Sequence, residues 1–148
     1  MSAFERRLNQ TGGNLVEASR EKEALGNSQN VYVVMPAHNE ETKIAKVIED
    51  MPWDIVKKLI VIDDHSDDAT AKVAQSLGAH VIRHETYKGV GAAYKTGYRL
   101  ALGERADILV TVHSDGQHDP QELPSLIEPI VKGDADYALG SRLKADTI

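Results

Sequence analysis

Short apolar runs alternate along this chain with segments whose apolar residues recur at helical spacing. Five runs predict buried strands, at residues 31–35, 59–62, 79–83, 108–112 and 135–139. The four segments between them predict helices that begin at residues 39–40, near 67, at 89 and near 120. Glycine or proline ends each predicted helix. This alternation predicts right-handed crossovers and a mostly parallel sheet, so the expected fold class is α/β, a three-layer α/β/α domain.

The first 29 residues lack this pattern. They are polar and aperiodic, although Asn14 and Glu17 have the spacing of a capping box and Gly26 is a stop signal. We therefore expect an N-terminal arm or short helix at residues 1–29 and one α/β domain at residues 30–148.

Composition narrows the classes of function. The 148 residues are 41% apolar and 27% charged, which fits one soluble domain. The absence of cysteine excludes disulfides, zinc–thiolate sites and thiol nucleophiles. A net charge of −6 argues against a nucleic-acid partner. No apolar run approaches the ~18 residues of a membrane span and no signal-peptide core is visible, so we expect a cytoplasmic protein.

Polar clusters follow four of the five predicted strands. They lie at residues 36–40, 63–64, 113–117 and 140–142. The carboxyl ends of parallel strands share one edge, where open α/β sheets bind ligands. We therefore expect a crevice lined by carboxylates, histidines and Arg142. Arg142 is either an exposed surface residue or a phosphate contact.

The cluster at residues 113–117 carries the most informative chemistry. The oxygens of Asp115 and Gln117 suit Mg²⁺ and also Mn²⁺, ions that usually serve phosphate groups. The alternative is a turn, because Asp-Gly and Asp-Pro are ordinary turn dipeptides. Similarly, Asp63 and Asp64 either cap the next helix or accept hydrogen bonds from a ribose or nucleobase.

Small residues line one face of the helix predicted from residue 89, including Gly91, Ala93 and Gly97. They favour close helix–sheet packing. Their position and spacing do not form a dinucleotide fingerprint, which disfavours a Rossmann dehydrogenase. His80 and His84 flank a predicted strand, and we interpret both as structural.

Four motifs together resemble the family 2 glycosyltransferases with a GT-A fold, most closely the polyprenyl-phosphate type similar to dolichyl-phosphate mannose or glucose synthases. Pro-Ala-His-Asn-Glu-Glu at residues 36–41 resembles that family's Pro-Ala-Tyr-Asn-Glu-Glu. Residues 61–70 resemble its Val-Val-Asp-Asp-Gly-Ser-x-Asp-x-Thr. Residues 113–120 resemble its Asp-Ala-Asp-Gly-Gln-His-Asp-Pro, and residues 140–142 match its Gly-Ser-Arg.

This resemblance implies the Rossmann-like, nucleotide-binding half of a GT-A fold. It implies inverting transfer from a UDP- or GDP-linked sugar with Mg²⁺ or Mn²⁺ as cofactor. The donor-binding residues that it implies are Pro36, His38, Glu40, Ile62, Asp63, Asp64, His113, Ser114, Asp115 and Arg142. The metal ligands that it implies are Asp115, Gln117 and His113.

Three residues depart from the family pattern, and one of them is Val90, where many relatives carry a lysine. His113 replaces the leading aspartate of the Asp-x-Asp motif, and its softer imidazole either favours Mn²⁺ or does not ligate. His65 replaces a glycine and leaves the geometry of its turn open.

The family also continues well past Gly-Ser-Arg, so we expect a C-terminally incomplete donor-binding domain whose catalytic base lies elsewhere. The resemblance implies a polyprenyl phosphate acceptor, cell-envelope glycan synthesis and a whole protein at the cytoplasmic membrane face. Exposed apolar surface would promote homo-oligomers. The alternatives are a catalytically incomplete nucleotide-sugar-binding module and, less favoured, a nucleotidyltransferase, whose glycine-rich, lysine-bearing loop after the first strand is missing.

Overall fold

A parallel sheet of four strands lies at the centre of the domain in the computed structural model, which describes residues 29–141. The strands are β1 (Val31–Ala37), β2 (Val56–Asp63), β3 (His80–Arg83) and β4 (Ile108–Thr111). Their order in the sheet is β3-β2-β1-β4, and all three neighbouring pairs are parallel. This arrangement confirms the predicted α/β class. The N-terminal arm and Arg142 lie outside the described residues.

Four helices connect or follow the strands. They are α1 (Ile44–Glu49), α2 (Thr70–Ser76), α3 (Val90–Gly103) and α4 (Leu123–Val131). The first two begin three or more residues later than predicted, because turns and bends occupy the residues before them. A 3-10 turn at Pro120–Glu122 precedes α4, and the side chain of Asp119 accepts a hydrogen bond from the Gln121 amide at its start.

Apolar residues cover both faces of the sheet. On one face, Val31, Val33 and Met35 pack in a core with residues of α1, α2 and α4. On the other face, Tyr32 and Val34 pack under α3. Burial of both faces explains why the strands read as continuous apolar runs and show no alternation.

Helix α3 lies very close to the sheet through its small residues. Ala93, Gly97 and Ala101, one helical turn apart, are its buried residues. A Cβ atom added to Gly97 would lie 2.3 Å from Cγ1 of Val34 on β1. The prediction of close helix–sheet packing is therefore confirmed, and glycine is required at this position by space.

The predicted fifth strand at residues 135–139 is wrong. These residues form no strand, and Tyr137 and Leu139 are each 78% exposed. The preceding backbone turns back on α4, because the amides of Asp134 and Ala135 both donate to the carbonyl of Pro129. A strand needs a ladder partner and at least one buried face, and this segment has neither among residues 29–141.

Candidate functional site

The carboxyl ends of β1, β2 and β4 surround a cleft of about 180 Å³ beside the first turn of α3. Seven of the ten predicted donor-binding residues line it, namely Pro36, His38, Glu40, Asp64, His113, Ser114 and Asp115. These residues come from three segments that are far apart in the sequence. The parallel topology brings the segments together, since each follows a strand that ends at this edge.

The other described residues of the predicted site do not line the cleft. Ile62 is fully buried in the core beneath α3, and Asp63 is fully buried at the end of β2. Arg142 is outside the described residues. Gln117 is exposed and does not line the cleft; its backbone amide donates to Oδ1 of Asp115 at 3.0 Å.

Asp63 helps to build the loop that follows β2. Its Oδ1 accepts from the Ser66 amide at 3.1 Å, and its Oδ2 accepts from Nη1 of Arg83 at 2.8 Å. Nη2 of Arg83 donates to the Ser66 carbonyl at 2.7 Å, which closes the cluster. This loop contains His65 at a φ of +61°, a conformation that favours glycine. A histidine therefore occupies a turn whose backbone favours glycine, the residue that the resembled motif has at this position.

The loops after β1 and β2 are tied to each other. Nδ1 of His38 lies 2.8 Å from the Asp64 carbonyl, and the Asp64 amide donates to the Ala37 carbonyl at 2.8 Å. The backbone amide of Glu40 donates to Oγ1 of Thr70 at 2.8 Å. These contacts fix the position of His38 and Glu40 at the mouth of the cleft.

Asp64 is a buried carboxylate with three hydrogen bonds. Oδ1 lies 2.7 Å from Nδ1 of His84 and 2.9 Å from the Lys88 amide, and Oδ2 accepts from the Gly89 amide at 2.7 Å. Burial by itself would raise the pKa of Asp64, but the hydrogen bonds from His84, Lys88 and Gly89 favour the charged form and lower the pKa below its ordinary value. Asp64 therefore stays ionised at neutral pH.

Replacing Asp64 with asparagine is expected to reduce the dependence of stability on acid pH. A carboxyl pKa that is lower in the folded state stabilises the fold above the ordinary value of 3.8, and this contribution is lost as pH falls through the folded pKa. Asp64→Asn should be less stable than wild type at pH 7, and the difference should shrink below pH 4. Chemical unfolding across this range measures it, with exposed Asp136→Asn as control. Parallel stability curves for Asp64→Asn and wild type would contradict the expectation.

The segment after β4 presents one carboxylate and one imidazole to the cleft, from Asp115 and His113. The rings of His113 and His118 pack edge to face with centroids 5.0 Å apart. Among residues 29–141, no three acidic or histidine side chains form a ready metal cage. Such a sparse donor set fits a divalent cation that takes most of its ligands from phosphate oxygens and water.

The sequence did not lead us to the residues of the cleft wall that lie just before α3 and at its start. Tyr87 and Val90 line the cleft, and the Tyr87 side chain is 63% exposed with its ring 4.8 Å from that of His38. The amino terminus of α3 also lies here, and the Gly89 amide just before it donates to the carboxylate of Asp64. The loop after β3 begins at the same edge of the sheet. The parallel order of the strands therefore already indicated that its residues reach the cleft.

Comparison with known proteins identifies one protein family over most of the chain. Residues 32–147 match the family described as glycosyl transferase family 2. The chain is 34% identical over 131 residues to a UDP-N-acetylglucosamine–dolichyl-phosphate N-acetylglucosaminyltransferase of Methanococcus voltae, covering 77% of this chain and 52% of that protein. It is 32% identical over 125 residues to an undecaprenyl-phosphate mannosyltransferase of Micrococcus luteus, covering 76% and 48%. The chain thus spans about half the length of the curated relatives it matches.

A solved structure resembles the chain over the same region. Glucosyl-3-phosphoglycerate synthase from Mycobacterium tuberculosis, in complex with Mn²⁺, UDP-glucose and phosphoglyceric acid, superposes with a TM-score of 0.65 at 33% identity. The match covers 78% of this chain and 44% of that one.

None of the helices within residues 29–141 has the length and apolar character needed to cross a membrane.

Proposed function

Since the chain belongs to glycosyl transferase family 2, we propose that its cleft binds a UDP- or GDP-linked sugar together with Mg²⁺ or Mn²⁺. One observation carries the proposal: three distant segments converge at the carboxyl edge of the sheet into one cleft that includes His38, Asp64 and the carboxylate of Asp115. The related synthase that holds Mn²⁺ and UDP-glucose supports it.

Within this proposal the cleft has two ends. Pro36, His38 and Glu40 contact the nucleoside, and Asp64 shapes the floor beside them. At the other end, Asp115 holds the cation with help from His113 and Gln117, and Ser114 lies against the donor. The cation neutralises charge on the departing nucleoside diphosphate.

For the whole protein we propose inverting transfer of the sugar to an acceptor, by direct displacement at the anomeric carbon. A polyprenyl phosphate acceptor is supported by the names of two relatives, which act on dolichyl and undecaprenyl phosphates. A phosphate acceptor is already an anion, so its oxygen attacks without a strong base. Such an acceptor would place the whole protein at the cytoplasmic membrane face.

Calorimetric titration with UDP and with GDP, each with and without Mn²⁺, tests the donor site. We expect one nucleotide to bind only when the metal is present, and its identity names the base of the donor. If neither nucleotide binds at millimolar concentration with Mn²⁺ or Mg²⁺, the proposal fails. Binding without sugar transfer by this chain would favour a nucleotide-sugar-binding module, which the replacement of the leading aspartate by His113 also favours.

A further inference from the structure

A buried hydrogen-bond chain runs from the floor of the cleft into helix α3. It begins at Asp64, which is 3% exposed, and continues through His84, which is 6% exposed. Nε2 of His84 lies 2.9 Å from Oγ1 of Thr96, and this hydroxyl donates to the Ala92 carbonyl at 3.1 Å. Neither His84 nor Thr96 lines the cleft.

The hydrogen bond between Asp64 and His84 has a definite direction, whereas the pairing of Nε2 of His84 with the Thr96 hydroxyl depends on the tautomer of the ring. The carboxylate of Asp64 only accepts, so Nδ1 of His84 donates to it. His84 thus donates to Asp64 through Nδ1 and contacts the hydroxyl of Thr96 through Nε2. An apolar side chain at position 84 would remove one hydrogen-bond partner from each of them.

Asp64, which accepts a hydrogen bond from His84, also binds the backbone of the cleft wall. Asp64 accepts from the backbone amides of Lys88 and Gly89. Gly89 has a φ of +89°, and α3 begins at the next residue, so these two bonds set where the helix starts. Tyr87 and Val90, on either side, line the cleft.

We propose that His84 is a positioning residue for donor binding: by orienting Asp64, it holds residues 87–90 and the start of α3 at the geometry that receives the nucleotide. This inference rests on the proposed function. It differs from a purely structural role, in which His84 would add to the free energy of unfolding and leave nucleotide affinity unchanged.

Two substitutions separate these roles. His84→Leu removes both hydrogen bonds, whereas His84→Asn keeps an amide donor near the position of Nδ1. We expect His84→Leu to weaken metal-dependent UDP or GDP binding by about tenfold, the usual size of a lost hydrogen bond to a charged group. His84→Asn should recover most of the affinity. Equal affinity of His84→Leu and wild type, or equal loss in both variants, would overturn the proposal.

The matched control is Ile127→Val, a core substitution on the opposite face of the sheet from α3. It should lower the free energy of unfolding and leave nucleotide affinity at the wild-type value. A loss of affinity in this control equal to that in His84→Leu would show that binding follows stability alone, and the positioning role would be withdrawn.

Hydrogen exchange of the Lys88 and Gly89 amides tests the same contacts without any nucleotide. Both amides should exchange faster in His84→Leu and also in Thr96→Val, which removes the hydroxyl at nearly constant volume. If wild type binds no nucleotide, the proposed function fails while this measurement still judges the hydrogen-bond chain. Unchanged exchange at both amides in both variants would overturn the inference even where wild type binds.

Discussion

Replacement of Asp115 by alanine is expected to abolish metal-dependent nucleotide binding, with a loss of affinity of about 100-fold or more. Asp115 and His113 are the metal donors that the described segment after β4 presents to the cleft, and Asp115 is the carboxylate of the two. Without it, the described part of this segment presents no carboxylate to the cleft. Calorimetry with the preferred nucleotide, with and without Mn²⁺, measures the effect.

The matched control for this experiment lies four residues further along the same segment. Asp119 is exposed and its side chain accepts from the Gln121 amide at the start of the 3-10 turn. Asp119→Asn retains that acceptor and removes one negative charge, so its affinity should equal that of wild type. If Asp115→Ala binds the nucleotide and metal as well as Asp119→Asn does, the cation is held by other residues and the assignment of Asp115 is wrong.

The convergence of the site residues on one edge of the sheet could be predicted, because it depends on the order and direction of the strands. Apolar runs located four strands, and parallel pairing then placed the residues after β1, β2 and β4 on one edge. Tyr87 and Val90 were missed because the loop after β3 carries no paired carboxylates or metal-type motif. The same edge rule would have included that loop if it had been applied to every strand.

The separate roles of Asp63 and Asp64 could not be predicted. The two residues are adjacent and chemically identical, yet Arg83 and Ser66 hold the first in the scaffold while the second reaches the cleft. Apart from Ser66, the partners of their side chains lie 20 to 25 residues away on β3 and the loop after it, and strand pairing brings them near. The contact of His84 with Asp64 could not be predicted for the same reason, because it depends on β2 and β3 being neighbours.

The predicted fifth strand fails for a different reason. Residues 135–139 have the composition of a strand, but a strand exists only where a neighbour offers unpaired backbone groups and a face to bury. Tyr137 and Leu139 find neither within the described residues. The strand propensity of a segment therefore predicts a strand poorly where the pairing neighbour and the buried face come from distant parts of a chain.

Gly97→Ala is expected to destabilise the fold by up to about 2 kcal/mol, although alanine is the better helix former. The gain in helix propensity is about 1 kcal/mol, whereas overpacking of a core costs about 1–3 kcal/mol. The added Cβ would lie 2.3 Å from Cγ1 and 3.2 Å from Cγ2 of Val34, a fully buried β-branched residue on β1. Neither partner yields by rotating a flexible chain end, so α3 must move outward. Urea unfolding measures the change.

Two further variants show whether this contact is the cause. Gly103→Ala lies in the same helix, and nothing lies within 4 Å of its added Cβ, so it should be neutral or stabilising. Val34→Ala should lower stability alone, but in combination with Gly97→Ala it removes the atom that clashes. The double variant should therefore be more stable than the sum of the two single changes predicts. Strict additivity would mean that α3 tolerates the methyl group without moving from β1, and the close approach would not be the reason for glycine.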